Sequence, residues 1–294
     1  MKHTIVIASY LEPDHVERIR QADARVEVLY EPDLLAPPQH PADHRGEGFS
    51  RTPDQETRWR ALLSRADILF DFDRPNRHEL PSLAPKLKWI QATSAGIGEF
   101  VGGSGYATTM PHVRLTTAAG VHAQPLMEFC FMVMLAFHKK LPHALREQRS
   151  KHWERFAATD LSGQTLVVVG LGAVGREVAR VGKALGMRVI GVKRTLSGVD
   201  PGSLHLDLLY GTSDLRTALA AGQNVVIVAP HTPDTEGMIG AAELALLPQG
   251  AVFINIGRGA LVDEPALIEA LRSGQLLGAG LDVFRQEPLQ ADSP

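Results

Sequence analysis

The run "TLVVVGLGAVGREVA" (165–179) constrains the fold of this chain more than any other stretch. Its first half is apolar and β-branched, the pattern of a strand covered on both faces. Its second half has helical periodicity, and between them Gly170, Gly172 and Gly175 stand in G-x-G-x-x-G spacing. Gly170 permits a tight turn, Gly172 lets the backbone approach a pyrophosphate, and Gly175 lets the helix pack closely on the strand. The helix's first N–H groups then face the anion, with Leu171, Ala173 and Val174 completing the turn. A glycine motif alone is weak. Here a further strand, "RVIGVK" (188–193), follows at the right distance, so the reading is dinucleotide binding.

Short β-branched runs alternate with helical patterns along nearly the whole chain, which indicates α/β architecture with largely parallel sheets. Strands are expected at 3–9, 25–30, 67–72, 88–93 and 113–117, with a helix at 12–22 and a long Pro-, Gly- and charge-rich surface loop at 36–53. An apolar run, 126–137, precedes a charged helical stretch, "HALREQRSKHWERF" (143–156). The second series has strands at 165–170, 188–193, 224–230, 251–256 and 276–284, and helices at 173–186 and 264–274. We expect two domains, 1–121 and 122–287, with 288–294 beginning a segment that returns to the first.

Net charge is −3 and the pI is near 6.5, so nothing in the charge favours nucleic acid or a membrane surface. The N-terminus is no secretion signal, and the 126–137 run is too short for a membrane span. The expectation is a cytoplasmic protein. Cys130 is the single cysteine, which excludes an intrachain disulfide or a cysteine cluster for metal, and no metal ligands are assigned. Phe129, Phe131 and Met134 read as core or dimer contacts.

Two further positions carry chemistry. An NAD site commonly has an acidic residue about 20 positions beyond the glycines. Here "GVKRT" puts Lys193, Arg194 and Thr195 in that neighbourhood, and the first carboxylate is Asp200. Two cations beside a hydroxyl suit a 2′-phosphate, which favours NADP(H) over NAD(H); the plain alternative is a solvated basic turn. Arg258 follows a strand and stands between Gly257 and Gly259, an arrangement that leaves its fork free to clamp a carboxylate.

"GLGAVG", "PHTPDTEGMI", "INIGRGALVDE" and "GLDVFRQEP", in this order and spacing, resemble the D-isomer-specific 2-hydroxyacid dehydrogenase family. "AAGVHAQPLMEF" and "GVKRT" are similar to its glyoxylate/hydroxypyruvate reductase branch. The resemblance implies a flavodoxin-like substrate domain, a Rossmann cofactor domain, both doubly wound, and a cleft between them. It implies that backbone N–H groups of the "QATSAGIGEF" loop (Ser94, Ala95, Gly96) hold the carboxylate of a small 2-oxo acid, and that Arg258 binds the acid and polarises its carbonyl. Pro230 and Thr235 would line the cofactor's ribose side, Ile256 would meet the nicotinamide, and Asp282 its carboxamide. Glu287 would orient a proton-donating histidine. Formate dehydrogenases of similar fold carry glutamine there, so Glu287 favours 2-oxo acid reduction. A homodimer is also implied.

No histidine follows Glu287 in these residues; the last is His231, which matches a cofactor-loop position. His122 falls at the hinge, and His40, His44, His138, His143 and His152 read as surface residues. An unpaired sheet edge and an uncovered apolar face are costly, so we expect the polypeptide to continue past Pro294. The rival expectation is a catalytically silent NAD(P)-binding regulatory module.

Overall fold

The structure, a computed structural model, describes residues 2–44, 46 and 48–294, with Glu99 described by its backbone alone. Its contacts divide the chain into two units, Met1–Ala119 and Gly120–Pro294. Each is built on its own parallel sheet, which makes both units α/β as the alternating pattern indicated.

In the first unit, strands β1 (His3–Ile7), β2 (Val26–Leu29), β3 (Ile68–Phe70), β4 (Trp89–Gln91) and β5 (Arg114–Thr116) form a sheet of order β2-β1-β3-β4-β5. All its pairings are parallel. This is the flavodoxin-like order, with its switch point between β1 and β3. Helices α1 (Pro13–Ala22), α2 (Pro53–Leu63), α3 (Leu80–Leu83), α4 (Gly98–Ser104) and α5 (Tyr106–Thr109) connect the strands. α2 begins where the 36–53 loop ends, and Thr52 and Gln55 cap it reciprocally.

That loop is pinned at its far end by a buried polar cluster. The Arg51 guanidinium lies 3.4 Å from Asp73 and 4.3 Å from the centre of the Trp59 ring. Trp59 Nε1 and Asn76 Nδ2 each donate to Asp73 at 2.9 Å. The Asp73 side chain is fully buried, and three donors from separate segments satisfy it.

The second unit has strands β6 (Thr165–Val169), β7 (Arg188–Val192), β8 (Leu208–Tyr210), β9 (Asn224–Ile227), β10 (Ala251–Asn255) and β11 (Leu276–Leu281), in the order β11-β10-β9-β6-β7-β8. Every residue of β6, β9 and β10 is buried, so these near-continuous apolar runs are the covered centre of the sheet. Helices α6 (Ala123–His138), α7 (Leu141–Ser150), α8 (Ala173–Ala184), α9 (Leu215–Ala220), α10 (Ala241–Leu244) and α11 (Glu264–Arg272) complete the unit. α6 lies close on β11: a Cβ at Gly278 would meet the Phe137 ring at 2.1 Å, and one at Gly280 would meet Val133 at 2.7 Å. Among the described residues, no helix is long and apolar enough to cross a membrane.

Two sequence expectations are corrected. His138 is not on the surface: it is 7% exposed, and its Nε2 lies 2.8 Å from Asn224 Oδ1. Asn224 in turn donates to Gln164, and Thr159 Oγ1 lies 3.0 Å from His138 Nδ1. The ring ends α6 over the start of β9, where its polar atoms need partners. The helix expected over 143–156 ends at Ser150, because Lys151 takes a left-handed conformation (φ 54°) and the chain leaves extended.

Candidate active site

The C-terminal edge of the second sheet gathers most of the residues singled out from the sequence. β6 and β9 are neighbours, yet the chain reverses its direction of strand addition between them, so the crevice for a ligand opens at their carboxyl ends. Gly170 ends β6 with φ 105°, and a Cβ there would lie 2.7 Å from Ala229 N. A Cβ on Gly175 would sit 2.0 Å from Gly170 O, so the helix approaches the turn as closely as backbone allows. Gly172, the N-cap of α8, has nothing within 4 Å of a built Cβ. Space over this glycine, at a helix N-terminus with free N–H groups, fits a pyrophosphate. Leu171 is buried beneath the turn, whereas Ala173 is exposed and Val174 half-buried.

Lys193, Arg194 and Thr195 follow β7 on the same edge. Arg194 and Thr195 are exposed, and among the described residues neither Lys193 nor Arg194 has an ion-pair partner. Asp200, the first carboxylate beyond them, is used locally, accepting from the backbone N–H groups of Gly202 and Ser203.

After β9, Thr235 staples its loop: its hydroxyl donates to Pro230 O at 2.8 Å and accepts from Thr232 N at 2.8 Å. His231 and Glu236 form an ion pair, and Glu236 also pairs with Arg285. His231 first, and then Arg285, hold the Glu236 carboxyl below the usual carboxylate range. These bonds tie the loop after β9 to the loop after β11.

Ile256 is buried and Arg258 exposed just beyond β10. A residue the sequence reading passed over sets this turn. Asn255, 1% exposed, donates from Nδ2 to Arg258 O at 2.9 Å and accepts from Gly257 N at 3.0 Å. An amide at the end of an otherwise apolar strand was the available signal. Arg258 Nη1 donates to Gly257 O at 2.7 Å. The flanking glycines also allow close packing: a Cβ on Gly259 would fall 2.0 Å from the Phe284 carbonyl carbon. Close packing there sets the Arg258 turn against the Phe284–Glu287 loop.

Asp282 is exposed, with its N–H donating to Asn255 O at 3.0 Å. Its charge acts on Cys130 behind it, whose thiol burial, first, and this carboxylate push up to about 12. Glu287 is exposed and accepts from Phe284 N at 2.9 Å. Ser94, Ala95 and Gly96 belong to the first unit, where they are exposed beyond the carboxyl end of β4, and Ala118 N donates to Ser94 O. His122 is exposed at the N-cap of α6.

The chain belongs to the D-isomer specific 2-hydroxyacid dehydrogenase family, whose NAD binding domain matches residues 131–294. A D-3-phosphoglycerate dehydrogenase of Archaeoglobus fulgidus is 34% identical over 190 residues, covering 64% of this chain and 35% of that protein. The chain thus spans about a third of that relative's length. A D-isomer specific 2-hydroxyacid dehydrogenase family protein of Aeromonas salmonicida superposes with a TM-score of 0.79 at 29% identity, over 100% of this chain and 85% of the other. An NADPH-dependent glyoxylate/hydroxypyruvate reductase of Sinorhizobium meliloti, solved with NADP and sulfate, gives 0.74 at 25% identity, over 99% and 84%.

Proposed function

We propose that this protein is an oxidoreductase that reduces a small 2-oxo acid, of the size of glyoxylate or hydroxypyruvate, to the D-2-hydroxy acid with NADPH. The single observation that carries the reading is Arg258, exposed on a turn fixed by Asn255 at the carboxyl edge of the sheet that bears the glycine turn. A planar guanidinium on a held backbone is suited to two-point recognition of a carboxylate and its neighbouring carbonyl.

Gly170 to Val174 and the α8 N-terminus would hold the pyrophosphate, and Pro230, Thr235, Ile256 and Asp282 the ribose and nicotinamide side. Lys193 and Arg194, without ion-pair partners among the described residues, support NADPH over NADH, with Thr195 as a hydroxyl donor. When bound, NADPH supplies the hydride that reduces the keto carbon. Arg258 binds the acid and draws electron density from its carbonyl, and the Ser94–Gly96 backbone N–H groups hold the carboxylate. Glu287 would orient the group that donates a proton to the new alkoxide oxygen.

The domain limits 1–121 and 122–287, a cytoplasmic location and a homodimer belong to the same reading. Exposed Met132, Leu135, Leu141, Leu145 and Trp153, on and after α6 and α7, support association between copies. The test is a panel of 2-oxo acids with NADPH and with NADH. Consumption of NADPH that is faster with two- and three-carbon acids than with 3-phosphohydroxypyruvate supports the reading; indifference to every acid in the panel overturns it.

A further inference from the structure

The stretch after α6 carries a spacing that the proposed reaction does not use: His143, Glu147, His152 and Glu154. His143 and Glu147 are four apart on α7 and share one face. Lys151, left-handed at the helix end, turns the chain back so that His152 N donates to Glu147 O at 3.0 Å. Beyond it the chain is extended, where alternate residues point the same way. His152, Glu154 and Phe156 therefore return along the His143–Glu147 face, while Trp153 is 84% exposed. Phe156 meets the His143 ring edge-on, with centroids 4.8 Å apart.

The donor atoms converge. His152 Nδ1 lies 2.7 Å from Glu147 Oε2, His143 Nδ1 lies 3.7 Å from Glu147 Oε1, and His143 Nε2 lies 3.8 Å from Glu154 Oε2. Glu147, His152 and Glu154 each offer an atom within 4.8 Å of the other two. Two ligands at about 2.1 Å from one tetrahedral ion stand roughly 3.4 Å apart; the Glu147–His152 separation and the 4.8 Å span of the Glu147, His152 and Glu154 donors lie on either side of that value, and His143 can reach such an ion through Nε2 alone, from the Glu154 side. A second observation points to a missing partner: His143 Nε2 is buried and has no hydrogen bond. An imidazole nitrogen shut off from water and left unbonded is costly.

We propose that Glu147, His152 and Glu154, joined by His143 through its Nε2, form a binding site for a divalent borderline cation of the zinc class. Two imidazoles and two carboxylates match the ligand preference of that class, and the two negative charges balance the ion. Arg146 opposes binding, because its guanidinium reaches His143 Nδ1 at 3.1 Å and Glu147 Oε1 at 3.6 Å. Its side chain is 69% exposed and free to swing into solvent when the ion enters. The site clasps the end of α7 to the extended segment, apart from the sheet edge that bears Arg258.

The test uses the untagged 294-residue chain, stripped with a chelator and titrated with zinc against a chromophoric competitor, and with cobalt as a spectroscopic probe. The expected result is one saturable ion per chain and the intense visible bands of tetrahedral cobalt. His152→Ala and Glu154→Gln change exposed side chains and leave folding intact; each weakens binding about tenfold or more. His143→Ala abolishes the cobalt bands. Zinc binding that is unsaturable, or equal in the three variants, overturns the proposal.

Discussion

A guanidinium at position 258 can clamp a carboxylate with two parallel N–H bonds, which a lysine cannot reproduce. Arg258→Ala is expected to lower kcat/KM for a 2-oxo acid by about 10²- to 10³-fold, the loss of two charge-assisted bonds. Arg258→Lys should recover little of it, and steady-state kinetics on both variants check this. Lys193 and Arg194 make a separable claim. Replacing both with alanine should weaken NADPH binding by about tenfold or more and leave NADH binding nearly unchanged, because only the 2′-phosphate is affected. Titration of nicotinamide fluorescence with the two cofactors reads the difference; an equal loss for both would mean that these cations are only a solvated turn.

Among the elements, the polar cluster behind α2 has the most at stake. Asp73→Ala leaves the Arg51, Trp59 and Asn76 donors without their buried acceptor, and about 3 kcal/mol of stability should be lost. Denaturant unfolding followed by tryptophan fluorescence measures it. At the start of β3, Asp67 accepts from Lys88 Nζ at 2.7 Å and Thr4 N at 3.0 Å. Lys88 first, and then the Thr4 N–H, hold its carboxyl below the ordinary value. A lowered pKa contributes stability above the unfolded value of about 3.9 and loses it as pH falls through the folded value. Asp67→Asn should therefore be less stable than the parent at neutral pH, with the gap closing as pH falls below about 4. Unfolding midpoints across pH test this, and a constant gap would contradict it.

Elements were legible in the sequence to unequal degrees, for physical reasons. β6 and β10 declared themselves because both faces are buried and nearly every residue is apolar. β8 did not, because a three-residue strand at the sheet edge needs few apolar residues. The start of α2 was passed over, although Thr52 and Gln55 stand in capping-pair spacing at the end of a stretch whose prolines and charges read as loop. His138 could not be placed from its neighbours Lys139 and Lys140, since its partners come from 21 and 86 residues away. The glycine turn and Arg258 were legible because each is a local motif between a strand and the next element. The Asn255 clamp and the packing of Gly259 on Phe284 needed coordinates, because they depend on which loops meet.

For the molecule as a whole, each unit has its own core and its own parallel sheet. In each, the residues proposed to handle ligand lie beyond the carboxyl ends of strands, where such folds bind ligands. Family membership accounts for the cofactor turn, and the proposed chemistry adds that hydride moves from NADPH to the keto carbon of a small 2-oxo acid. Deuterium placed at the hydride position of NADPH tests this most directly, with hydroxypyruvate as acceptor. The account predicts deuterium at C2 of a D-configured 2-hydroxy acid, formed faster with NADPH than with NADH. Tight NADPH binding with no label transferred to any 2-oxo acid would contradict it and would fit a silent cofactor-binding module.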